Sequence, residues 1–107
     1  MKIERTESLL MEGFGDVMFT YGDYTITMML NETMRIGKIE HNKPLYAPTA
    51  DIVSDGKEVK INFNFDLTPV TEENWGRIKG LVDEMMAFYT EFVRQFGDEL
   101  LDPPEEA

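Results

Sequence analysis

Residues 71–96 read TEENWGRIKGLVDEMMAFYTEFVRQF, and the placing of their apolar side chains decides the fold. Trp75, Ile78, Val82, Met85, Tyr89, Phe92 and Phe96 recur at alternating steps of three and four, the helix period sustained to the end of the stretch. On a helical wheel, Leu81, Met86, Phe88 and Val93 widen that stripe to an apolar arc of about 160°. Glu73, Arg77, Lys79, Asp83, Glu84, Glu91 and Arg94 fill the remainder. The stretch is therefore expected to form one long amphipathic helix, about 39 Å from end to end. Such a helix must bury one whole side against another layer.

The residues upstream supply that layer. In 57–67, Val59, Ile61, Phe63, Phe65 and Leu67 alternate with Lys60, Asn62, Asn64 and Asp66, the pattern of a strand with one core face and one wet face. Residues 16–21 also alternate, with Val17, Phe19 and Tyr21 on one face and Met18 and Thr20 on the other. Gly22-Asp23 suits a type II′ hairpin leading to a strand at 24–30. A second tight connection at Asn31-Glu32 leads to a strand at 33–40, where Met34 and Ile36 share a face. After a looser segment with Pro44 and Pro48, 49–53 reads as a short strand, and Asp55-Gly56 matches a type I′ hairpin. At the N-terminus, Glu7-Ser8-Leu9-Leu10-Met11 fits either a helical turn or an edge strand.

The expected fold class is α+β: a single antiparallel meander of about five strands packed against one long C-terminal amphipathic helix. Either Thr68, with Pro69 in the first turn, or Thr71 caps the helix, and Gly97 stops it. Residues 1–97 are expected to be the single domain, with 98–107 a flexible acidic tail in which Leu100 and Leu101 can tether back. One sheet face covers only about 120° of a helix, less than the apolar arc. Either Leu81 and Phe88 on one border, or Met86 and Val93 on the other, are left at the margin.

Composition narrows the function. The 107 residues contain no cysteine, which excludes disulfides and thiolate chemistry. Of the net charge of −11, the greater part lies from residue 71 onward, where ten acidic residues face three basic ones. That opposes direct binding to nucleic-acid phosphates or to anionic membranes and suits a basic partner. Lys2, Glu4, Arg5 and Glu7 stand where a signal peptide would be apolar, and no run approaches the roughly 18 apolar residues of a membrane span. A soluble, cytoplasmic protein is expected.

Little points to catalysis. His41, the single histidine, has no second histidine or cysteine with which to share a metal. The glycine pairs Gly13/Gly15 and Gly76/Gly80 lack the Gly-Lys-Ser/Thr of a phosphate loop. Adjacent carboxylates such as Asp83-Glu84 point about 100° apart on a helix and cannot together clamp an ion. No catalytic residue, metal or cofactor is expected. Glu73, Glu84 and Glu91 do align within about 20°, beside Arg77, as a ridge suited to a basic groove. The eight methionines, including the doublets Met28-Met29 and Met85-Met86, suit irregular cores and adaptable binding surfaces alike.

Leu67-Thr68-Pro69 followed by Trp75 and Ile78 resembles the entry to the C-terminal helix in single-strand-binding transcriptional coactivators, which carry four strands and a helix. Val70-Thr71-Glu72 lengthens that spacing and the basic DNA-facing residues of the family are lacking, so the resemblance implies architecture and not activity. The expected function is a small acidic, non-enzymatic interaction module, acting alone or as a homodimer on a basic protein partner. A phage-type inhibitor of a nucleic-acid-binding protein or an acidic chaperone of effectors would fit. Its contact residues are expected along one helix border: Arg77, Leu81, Glu84, Phe88 and Glu91. The alternative is a carrier of small hydrophobic ligands, with a sheet–helix cavity lined by Phe19, Met28, Phe63, Phe65, Met85 and Tyr89.

Overall fold

The computed structural model describes residues 1–11, 14–30, 35–43 and 46–101. They form one antiparallel sheet of six strands in meander order and one long helix. The strands are β1 (Glu4–Met11), β2 (Phe14–Tyr21), β3 (Tyr24–Leu30), β4 (Arg35–His41), β5 (Thr49–Ser54) and β6 (Val59–Asn64). The helix α1 spans Trp75–Phe96 and runs into a 3₁₀ turn at Gly97–Glu99. The sixth strand is β1: of the two forms open to the N-terminal segment, the edge strand is adopted. It pairs with β2 from Glu4 opposite Thr20 to Leu9 opposite Gly15, with an irregularity before Met11.

Register gathers the core into rows. Phe19, Ile26, Ile39, Ala50 and Phe63 lie side by side across five strands, and Val17, Met28, Gly37, Ile52 and Ile61 form the next row. The central members of both rows are fully buried, while Phe63 and Ile61 on the edge strand β6 are only partly so. Ile36 lies on the opposite face, paired with Val53, and is exposed. Its expected neighbour Met34, and the turn expected at Asn31-Glu32, lie outside the described residues.

Turn chemistry sets the strand ends. Tyr21 pairs with Tyr24 across Gly22-Asp23, and the positive φ falls on Gly22 alone (58°), as a type II′ turn requires. The type I′ turn expected at Asp55-Gly56 is not formed, because only Gly56 has a positive φ. Ser54 pairs instead with Val59 across a four-residue loop. The Asp55 Oδ1 accepts the backbone N–H groups of Lys57 (2.9 Å) and Glu58 (3.0 Å) and holds that loop. These bonds favour the ionised carboxyl, which is held below its ordinary pKa.

The strand expected over 57–67 is shorter, because Asn64 closes it: its Oδ1 accepts the Asp66 N–H at 2.8 Å. Leu67 thus leaves the core face and is exposed. The helix begins at Trp75 and not at residue 71. Thr71 organises the turn before it, its Oγ1 accepting the Asn74 N–H at 3.2 Å, and Asn74 takes the cap position without a side-chain cap. At the other end, Gly97 has φ −60°, so the helix tightens into a 3₁₀ turn and does not end on a left-handed glycine. Gly76 and Gly80 have open space where a Cβ would stand, so no segment packs closely there.

Residues 98–101, expected to belong to the tail, are part of the domain. Leu100 is fully buried, and its carbonyl accepts both the Ser54 hydroxyl and an Arg35 N–H at 2.6 Å. Arg5 on β1 bridges to Glu99 at 2.7 Å. Residues 102–107 lie outside the described part.

Candidate interaction surface

Two surface features are built by the elements around α1. The first is the connection from β6 to α1. Thr68 donates its backbone N–H to the Phe65 carbonyl at 2.9 Å and is itself buried. Asn74 reaches back to the Pro69 carbonyl at 3.3 Å, and Ile78 donates to the Asn74 carbonyl at 3.0 Å. This hydrogen-bonded frame leaves three large apolar side chains outside: Leu67 is 79% exposed, Val70 55% and Trp75 54%. Val70 and Trp75 line a shallow hollow with Thr71 and Glu72, and Glu73 is also exposed.

The second is a cleft of about 150 Å³ between the β2–β3 hairpin and α1, lined by Met1, Tyr21, Tyr24, Glu84, Ala87 and Phe88. The Phe88 ring lies 6.3 Å from that of Tyr21 and 6.4 Å from that of Tyr24. The Tyr24 hydroxyl donates to the Glu84 carboxylate. Burial, and after it this hydrogen bond, push the Tyr24 hydroxyl above its ordinary pKa. The His41 ring meets Tyr24 edge-on at 4.6 Å, with Nδ1 accepting the Lys43 N–H at 3.1 Å. Nearby, Lys43 pairs with Asp23 at 3.4 Å.

Of the five contact residues expected from the sequence, the structure brings Glu84 and Phe88 into this cleft. Arg77 is exposed, and Leu81 is half-buried against the core. Phe88 is a correction: at 1% exposure it is core and not a border residue. The helix is turned so that Ile78, Met85, Phe88 and Phe92 face the sheet, leaving Trp75 exposed and Met86 and Val93 half-buried on the opposite border. The reason lies in the hairpin, whose end residues Tyr21 and Tyr24 extend the apolar layer beneath Phe88. Glu91 is engaged within the helix, accepting from Arg94 and from Gln95 (2.8 Å), and these bonds hold its carboxyl at a pKa of about 2. Glu73 precedes the helix, so it does not continue a ridge with Glu84 and Glu91.

The sequence reading missed Tyr21, Tyr24, Leu67 and Val70. Pairing across Gly22-Asp23 was the available signal for the two tyrosines; nothing in the alternation of 57–67 signalled Leu67. Of the residues expected to line a ligand cavity, Phe19, Met28 and Met85 are fully buried, and Phe63, Phe65 and Tyr89 are half-buried. Among the described residues no three His, Asp or Glu side chains gather as a metal site requires, and no helix is long and apolar enough to cross a membrane. No family model, curated protein or solved structure matches the chain.

Proposed function

We propose that this chain is a non-enzymatic interaction module that binds a basic protein partner. The observation that carries the reading is the exposure of Leu67, Val70 and Trp75 together on a hydrogen-bonded connection edged by Glu72 and Glu73. A single exposed apolar residue is ordinary; three on one short, braced segment offer an anchor to a groove. Tryptophan is among the residues that most often dominate binding energy at protein interfaces. Because the frame is already ordered, docking loses less conformational entropy than it would from a loose loop. The net charge of −11 supports a basic rim on the partner, which would speed encounter and make it salt-sensitive.

The test compares the protein with a Leu67→Ser/Trp75→Ala variant, both immobilised, at low and raised salt. The expected result is a partner retained by the parent chain, released by salt and lost by the variant at unchanged thermal stability. Light scattering on the same pair identifies a second copy of the chain if that is the partner. Equal retention by both proteins, or no retention together with a strict monomer, would overturn the reading.

A further inference from the structure

We propose that β6 is a dimerisation edge, which pairs antiparallel with β6 of a second copy and continues the sheet from one chain into the next. Among the described residues β6 pairs with β5 alone, so β1 and β6 are the two outer strands of the sheet. Outer strands offer backbone groups to other chains, and proteins commonly defend them with charge or irregularity. β1 is defended in this way: Glu4, Arg5 and Glu7 are exposed on it, and its register breaks before Met11. β6 keeps an unbroken register from Val59 to Asn64, with no proline and a single charge, Lys60.

The registers fix which way the β6 backbone points. The Asn42 N–H donates to the Asp23 carbonyl at 2.7 Å, and the Asp55 N–H to the Glu58 carbonyl at 3.4 Å. Bonded pairs alternate along an antiparallel ladder, and counting from either bond gives the same result. Lys60, Asn62 and Asn64 turn their backbone groups to β5, whereas Val59, Ile61 and Phe63 turn theirs off the edge. The side chains of those same three residues lie on the core face and are only half-buried. A two-fold axis at Ile61 sets Ile61 opposite itself and Val59 opposite Phe63 of the second copy, each pair able to exchange two hydrogen bonds. On the wet face Lys60 then stands opposite Asn62 and Glu58 opposite Asn64, so no like charges are directly opposed. Both faces match under one axis, which favours a second copy over an unrelated strand. The proposal does not rest on the basic-partner reading. Two copies of net charge −11 repel at long range, so salt should strengthen this pairing where it releases a basic partner.

The test uses the full chain, with mass read by sedimentation over a concentration series and amide exchange read by NMR. The expected result is a dimer favoured by concentration and by salt. On association the Val59, Ile61 and Phe63 amides should slow, while those of Lys60, Asn62 and Asn64, already bonded to β5, should change little. Asn62→Lys brings two ammonium groups face to face across the axis, with Asp51 opposite in its own chain to keep the fold. It should weaken the dimer about fivefold, and adding Lys60→Glu should restore it. A monomer at every concentration would overturn the proposal and leave the edge to a strand of another protein. A dimer indifferent to Asn62→Lys, or slowing that spares Ile61, would overturn it too. A dimer lost in Leu67→Ser/Trp75→Ala and kept in Asn62→Lys would belong to the connection before α1, so the two readings fail separately.

Discussion

Gly37 shows how one residue can be dictated by a neighbour on the next strand. It lies opposite Met28, and a Cβ built there would stand 2.0 Å from the Met28 sulfur and 2.9 Å from the Thr27 carbonyl oxygen. Met28 is fully buried in a close-packed interior, and the Thr27 oxygen is backbone that no side-chain rotation can move aside. Gly37→Ala should therefore destabilise the protein by about 1–3 kcal/mol, measured as a lower urea midpoint with an unchanged slope. Glu91 gives a prediction in pH. Its carboxyl is held at about 2, against an ordinary 4.5, chiefly by the hydrogen bond from Arg94 and then by that from Gln95. A carboxyl depressed in the folded state stabilises the fold above its unfolded pKa, and that contribution is lost as pH falls from 4.5 towards 2. Following the Glu91 side-chain resonance through acid titration should place its midpoint near 2, and Arg94→Ala should move it upward. A midpoint near 4.5 in the parent chain would show that the pair does not form in solution.

At the scale of elements, the helix is the instructive case. Its apolar arc is wider than its cover, and the period alone left both borders equivalent. The structure buries the Phe88 border and exposes the Trp75 end. Phe88→Ala should cost about 3–5 kcal/mol by opening a cavity against Tyr21 and Tyr24. Trp75→Ala should cost about 1 kcal/mol or less, since that side chain stays half in water. Parallel thermal melts of the two variants measure the contrast directly. The last strand teaches the reverse lesson. Its alternation continues through Leu67, but an Asn64 side chain that captures the Asp66 N–H ends the ladder earlier. Periodicity reports what a segment could bury, and local hydrogen bonding decides how much of it does.

For the whole molecule, the segment after the helix closes the fold. Leu100 is fully buried, its carbonyl joins Ser54 and Arg35, and Glu99 pairs with Arg5 on the first strand. The two ends of the described chain are thus tied together across the sheet. Leu100→Ala should cost about 2–5 kcal/mol in chemical denaturation, as for other buried leucines. A neutral result would return residues 98–101 to a loosely attached tail.

The sequence by itself determined the class of architecture. A helix period sustained to Phe96, the alternation at 16–21 and the Gly22-Asp23 turn each depend on neighbours within a few residues, so they are legible without tertiary contacts. The concentration of negative charge from residue 71 onward is likewise a property of the chain alone. Only the tertiary structure decided which helix border meets the sheet, that Leu100 turns in, and that Phe88 packs against Tyr21 and Tyr24. These outcomes depend on which apolar layer, or which hydrogen-bonding partner, lies opposite each residue. Tyr21 and Tyr24 are separated from Phe88 by more than sixty positions, and no local pattern records that they meet.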